Sequence, residues 1–219
     1  MSPKARARMI ATPCDAMPAW LIREYTHPTH DIPGDLADLR ALLPRYMELL
    51  ASGEPVDDFR AVSELRRFGA AIAGHPDFLS PEQQAAYELW AMALLRAWPV
   101  AANPDASEAD LLYPLVLLLA GGIRAEAILT GVEDLFDEPA TVGAFSEALL
   151  RSFGGVDLLD LPPFRAAPET QRTALLNWLK GTSLRNMLEI SATDPDLPDG
   201  QSEAARIVSA RLERVALRA

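Results

Sequence analysis

Cysteine and histidine, which supply many metal ligands and catalytic groups, are scarce: the chain has one cysteine, Cys14, and three histidines in 219 residues. One cysteine excludes an intrachain disulfide and a zinc site built from several thiolates. The sequence has no G-x-S-x-G motif, and no glycine-rich loop carries the Lys and Ser or Thr that hold a phosphate. We therefore predict a cytoplasmic protein without a cofactor, and an enzyme is the less favoured class.

Long apolar runs are also missing. Residues 1–17 contain three basic residues but no apolar stretch of the length that a secretory signal needs. The most apolar stretch, residues 111–123, is shorter than the roughly 20 residues that cross a bilayer. We expect a mobile basic leader over residues 1–17 and no membrane partner.

Basic residues are outnumbered, since 20 Lys and Arg stand against 31 Asp and Glu and give a net charge of −11. Nucleic-acid binding requires clustered Lys and Arg, so we expect neither DNA nor RNA as a partner. The negative charge is concentrated between Asp105 and Asp160, where 11 acidic residues accompany two arginines. The rest of the chain has 20 acidic and 18 basic residues, so the excess of acid is local.

The sequence LLYPLVLLLAGGI, residues 111–123, places large aliphatic side chains in every direction when it is wound as a helix. Burial of seven such side chains contributes roughly 10–20 kcal/mol before opposing terms, so this segment does not lie on a surface. Asp110 and Arg124 bound it, and Gly121 with Gly122 ends it. The pattern predicts a central apolar helix near residues 108–121.

Apolar residues recur at helical spacing along most of the remaining chain, in segments separated by glycines and by many of the 18 prolines. Ser80-Pro-Glu-Gln83 matches a capping box with proline at the first helical position, and further helix starts are predicted at Asp35 and Pro168. No run of alternating β-branched residues is present. We predict an all-α fold, an irregular bundle of about eight to ten helices that forms one domain over residues 18–219.

The densest group of metal-binding residue types is His27, His30 and Asp31, in the loop sequence THPTHDIPGD. Two imidazoles and a carboxylate suit zinc or another divalent cation, and they support a competing hypothesis, a metal-dependent hydrolase. The loop is interrupted by proline and supplies only three local ligands, without the i,i+4 histidine pair of helical zinc sites. We therefore interpret it as a surface loop in which Thr or Asp caps a turn, and we assign no metal.

Four carboxylates lie within six residues in the sequence Glu133-Asp134-Leu-Phe-Asp137-Glu138. A short helix is predicted from Ile123 to Gly131. If Asp134 and Asp137 shared a helix face at i,i+3, they could hold Mg²⁺ through water, although a solvated helix end is the simpler interpretation. A third interpretation is a docking surface, because clustered like charges raise the association rate with a basic protein.

The predicted function is binding to another protein, as an adaptor, chaperone, regulator or toxin-neutralising partner, through an acidic surface around residues 105–160. We assign the partner-binding role to Glu133, Asp134, Asp137 and Glu138. Two hypotheses of other classes stay open: the metal-dependent hydrolase, and a helical bundle that binds an apolar small molecule in its Leu- and Trp-rich interior. The sequence predicts neither the identity of the partner nor the oligomeric state.

Overall fold

A computed structural model of the chain describes residues 2–26, 36–52, 61–97, 112–152 and 168–216. Within these ranges it contains eleven α-helices, one short 3₁₀ turn and no strand, which confirms the all-α prediction. The helices are α1 (Pro3–Ala11), α2 (Ala19–Thr26), α3 (Leu36–Ala51), α4 (Ala61–Gly74), α5 (Pro81–Ala97), α6 (Leu112–Ala120), α7 (Ala125–Leu135), α8 (Pro139–Ser152), α9 (Glu169–Leu179), α10 (Thr182–Thr193) and α11 (Asp199–Ala216).

Several helix starts are set by local hydrogen bonds. The predicted capping box opens α5: Ser80 Oγ accepts the backbone N–H of Gln83 at 3.3 Å, and Gln83 Oε1 accepts the N–H of Ser80 at 2.9 Å. Ser2 caps α1 in a similar way, since its Oγ accepts the N–H of Ala5 at 3.2 Å. Each bond satisfies a backbone donor that the helix itself leaves unpaired.

Helix α6 is the buried centre of the bundle, as predicted. Leu115 and Leu117 to Leu119 are 0% exposed, and α6 packs against α4, α5, α7 and α8. Pro114 lies in its first turn, where the missing N–H removes no helical hydrogen bond. The predicted residues 108–111 lie outside the described ranges. Among the described helices, none combines the length and the hydropathy needed to cross a bilayer.

The C-terminal end of α6 is fixed by two glycines and by a close crossing with α4. The N–H of Ile123 bonds to the carbonyl of Leu118, and the N–H of Gly122 bonds to that of Leu119, both at 3.1 Å. This is a Schellman motif, and it requires the left-handed φ of +81° that Gly122 adopts. Gly69 of α4 lies against the carbonyl of Ala120 so closely that a Cβ would overlap it.

Around α6 the other helices form three groups. Helices α1, α2 and α3 pack in chain order, and α3 connects this group to α4. Helices α5 and α9 both pack on α7, while α8, α10 and α11 pack on one another. The segment between α7 and α8, which contains Asp137 and Glu138, therefore connects the group around α7 to the group that contains α8.

Two predictions about local structure differ from the structure. The predicted leader includes α1, which contacts α2 and buries Ala5. An apolar face of only Ala5 and Met9 is too small to produce a clear periodic pattern. Gly131, which we took as a helix end, lies inside α7, and the Met92 side chain fills the space beside it.

Candidate functional site

Helix α7 is tied to both neighbouring helices at its N-terminal end. Arg124, at its N-cap, donates from Nε and Nη2 to the two carboxylate oxygens of Glu88 on α5, at 2.6 and 2.7 Å. The backbone N–H of Ala125 donates to Gln171 Oε1 on α9 at 2.7 Å. The Arg124 hydrogen bond is the main reason that the pKa of Glu88 is lowered, with burial acting against it.

The C-terminal end of α7 is tied to the same two helices by acidic residues. Glu133 Oε1 accepts the indole N–H of Trp178 on α9 at 3.0 Å. Asp134 Oδ2 lies 3.8 Å from Arg96 Nη2 on α5, and both side chains are 61% exposed. From the start of α7 to its end, the contacts advance from Glu88 to Arg96 on α5 and from Gln171 to Trp178 on α9, so the three helices run in the same direction. Two of the four predicted docking residues therefore connect helices.

The other two carboxylates, Asp137 and Glu138, form what we call the acidic turn, between α7 and α8. Both side chains are exposed, and neither has a hydrogen bond or ion pair with any residue that the structure describes. The backbone carbonyl of Glu138 accepts the N–H of Thr141 at 2.9 Å, so the turn lies at the N-terminus of α8. The helix dipole tolerates negative charge there.

The aromatic residue Phe136 fixes the position of the acidic turn. Its N–H bonds to the carbonyls of Val132 and Glu133, which ends α7. Its ring is 5% exposed and lies 5.1 Å from Phe145 and 6.1 Å from Trp178, measured between ring centroids. Burial of Phe136 leaves the two carboxylates that follow it in solvent.

The geometry suggested for Mg²⁺ is not formed. Helix α7 ends at Leu135, so Asp134 is on the helix while Asp137 is on the turn after it, and the two do not share a helix face. No group of three His, Cys, Asp or Glu residues within the described ranges is arranged to hold a metal ion. We therefore interpret the acidic turn as an exposed, negatively charged surface.

Other candidate residues fall outside the described ranges. His27, His30 and Asp31 are among them, so the hydrolase hypothesis stays a prediction. The same holds for five of the eleven acidic residues between 105 and 160, which are Asp105, Glu108, Asp110, Asp157 and Asp160. Of the predicted acidic surface around residues 105–160, the structure describes residues 112–152.

A groove of about 590 Å³ lies between α3 and the start of α5. Arg40 is held at its edge by a 3.0 Å hydrogen bond to the carbonyl of Asp77 and by the Phe78 ring, 5.6 Å from the guanidinium carbon. Most of the lining is solvent-exposed, including His75 and Gln83. This is a surface groove, separate from the interior that the apolar-ligand hypothesis requires.

Trp178 and Arg96 are the residues of this site that the sequence pattern missed. They lie 45 and 38 residues from their acidic partners, and no local spacing connects them. In comparisons with protein-family models, with curated proteins and with solved structures, no match to this chain was found.

Proposed function

We propose that the chain binds another protein, as an adaptor, chaperone, regulator or toxin-neutralising partner, through the acidic surface centred on the acidic turn. Of the four carboxylates to which the sequence analysis assigned partner binding, the proposal keeps two. Glu133 and Asp134 contact neighbouring helices, whereas Asp137 and Glu138 are exposed without a partner among the described residues. The observation that supports the proposal is that the first two carboxylates contact other helices and the last two pair with no described residue.

Asp137 and Glu138 are adjacent carboxylates that no described residue pairs, although the N-terminus of α8 favours negative charge. Like charges held together repel each other, and an average soluble surface intersperses its signs. No cation in the described ranges offsets Asp137 or Glu138, although the same helix end has Arg96 within reach of Asp134. A basic partner would convert this repulsion into attraction and would be steered to the turn by its field.

The partner implied by this chemistry is a protein with exposed Arg or Lys. Arginine is the better match, because its planar guanidinium binds a carboxylate through two parallel hydrogen bonds. Exposed ion pairs are individually weak, so we expect a contact that salt weakens strongly. The turn contributes orientation and association rate more than affinity.

The test is affinity capture from a lysate of the source organism with three purified baits. These are the wild type, Asp137→Asn with Glu138→Gln, and a control, Asp196→Asn with Glu189→Gln. The control removes the same two charges from exposed positions elsewhere on the surface. We expect a basic protein to be captured equally by the wild type and the control, and several-fold less by the turn variant. Equal capture by all three baits would exclude the acidic turn as the docking surface.

A further inference from the structure

The solvent-facing side of α1 is apolar, although the helix is basic overall. At 100° per residue, Ala5 and Met9 point toward the core, while Pro3, Ala7, Ile10 and Ala11 point away from it. Ile10 is 80% exposed, the most exposed large apolar side chain in the described ranges. We call this strip of four exposed residues the outer face of α1.

Basic residues flank the outer face on both sides. Arg6 lies beside Ile10, and Lys4 and Arg8 lie on the opposite edge, all three exposed. The guanidinium of Arg8 lies 5.1 Å from the ring centroid of Trp20, which is itself 43% exposed. An apolar strip between cations suits a surface that is apolar in the middle and negative at its edges.

A recess beside the outer face has the size and charge for one acidic side chain. It has a volume of about 270 Å³ and is lined by Ser2, Lys4, Ala5, Arg8 and Trp20. Two of these residues are cations, and Arg8 is held over the Trp20 ring. A carboxylate that enters the recess would lie between Lys4 and Arg8, where both attract it.

We propose that the outer face of α1 binds the acidic turn of a second copy of this chain. The two surfaces have opposite charge, and the turn adjoins the half-buried Pro139 and the exposed Ala140, which would offer Ile10 a small apolar contact. This inference rests on the proposed docking role of the acidic turn, and it adds a second copy of the chain to the basic protein expected in the capture experiment. An anionic membrane would attract the cations of α1 in the same way, so the vesicle experiment below separates a membrane from a second copy.

Each copy carries both halves of the contact. The contact is heterologous, because α1 of one copy meets the turn of the next, and it builds a ring or an open chain unless the turn and α1 pair reciprocally in a dimer. Each contact is small and charged. Association should therefore increase with protein concentration and be lost in high salt.

Sedimentation velocity of two charge-reversed variants tests the contact. One variant reverses α1 through Lys4→Glu and Arg6→Glu, and the other reverses the turn through Asp137→Lys and Glu138→Lys. Glu is acceptable at exposed α1 positions because it is a good helix former, and circular dichroism checks that both variants fold. A control, Glu189→Lys with Asp196→Lys, has the same net charge as the turn variant.

At about 20 mM salt, where the Debye length is roughly 20 Å, we expect wild type and control to sediment faster as concentration rises. Each reversed variant alone should remain monomeric. Their equimolar mixture should associate again, because every turn then meets an α1 of opposite charge. Wild type that is monomeric at low salt, or variants that associate as wild type does, would overturn the self-contact.

The outcomes also separate this inference from the proposed function. Monomeric wild type with lysate capture that still depends on Asp137 and Glu138 rejects the second copy as partner and leaves the docking function standing. If neither capture nor self-association changes when Asp137 and Glu138 are replaced, the docking function and the self-contact are both rejected. Binding of monomeric wild type to vesicles of equimolar phosphatidylcholine and phosphatidylserine, lost on reversal of α1, would assign the outer face to a lipid surface instead.

Discussion

The crossing of α4 with α6 and the acidic turn after α7 differ in how strongly packing limits the residues that each can contain. At the crossing, Gly69 contacts the backbone of Ala120, and on α6 Leu115 and Leu117 to Leu119 have no exposed surface. At the turn, Asp137 and Glu138 are in solvent and bond to nothing that the structure describes. The fold determines the residues at the crossing. At the turn the only interaction that favours charge is the one with the α8 dipole, which many polar residues could replace, so we look to binding to explain two carboxylates there.

The largest loss of stability should come from a charge placed inside α6. Leu118→Asp buries a carboxylate in the centre of α6, where the surrounding side chains are apolar, at a cost of several kcal/mol. We expect no soluble, folded protein on expression. Normal yield with an unchanged melting temperature would show that α6 is not the centre of the fold.

A single methyl group at the crossing should be nearly as damaging. In Gly69→Ala the new Cβ overlaps the Ala120 carbonyl, which is backbone and cannot rotate away, so we expect about 2–4 kcal/mol of destabilisation. Gly74→Ala is the matched control on the same helix, because its Cβ would have no atom within 4 Å. Urea unfolding should separate the two variants clearly, and equal midpoints would contradict the close crossing.

These two positions show what the sequence could and could not predict about the fold. The position of α6 follows from hydrophobicity on all its sides, which one short segment reveals without its neighbours. The contact at Gly69 has no such signal, because a glycine inside a helix pattern does not indicate which backbone lies against it. Gly131 produced the opposite error, since a glycine that accommodates Met92 was taken as a helix end.

A carboxylate that the fold uses should give a smaller, pH-dependent effect. The pKa of Glu88 is lowered below its ordinary value near 4.5, mainly by the Arg124 hydrogen bond. A lowered pKa means that the ionised group stabilises the fold above about pH 4.5 and that this contribution is lost as pH falls through the folded-state value. We expect Glu88→Gln to unfold at lower urea concentration than wild type at pH 7.

The same comparison near pH 3 supplies the control for Glu88→Gln. As pH falls below the ordinary value near 4.5, the carboxylate is protonated first in the unfolded state and then in the folded state, so the difference between the two proteins should shrink. A difference that is the same at both pH values would mean that the charge of Glu88 does not stabilise α5 against α7.

The candidate site was only partly predictable. The cluster Glu133 to Glu138 is evident from the sequence alone. Its division into two carboxylates that pair with other helices and two that have no partner among the described residues depends on long-range packing. That division is set by Trp178 and Arg96, which come from other helices, and by the burial of Phe136. A local pattern of charge contains none of this information.

The smallest effect on stability should come from the acidic turn. Asp137→Asn with Glu138→Gln removes two charges near the N-terminus of α8 and breaks no hydrogen bond among the described residues. Only the favourable interaction with the helix dipole is lost, so we expect the melting temperature to change by less than about 3 °C. A drop as large as that of Gly69→Ala would give the turn a structural role.

The association rate of the captured basic protein tests the docking function most directly. Stopped-flow or surface-based kinetics at low salt should show that Asp137→Asn with Glu138→Gln slows association roughly 3- to 10-fold, because the steering field is weakened. The control Asp196→Asn with Glu189→Gln should associate at the wild-type rate, and the gap between the variants should close in high salt. An association rate that the turn variant leaves unchanged at low salt would contradict the assignment of this surface to binding.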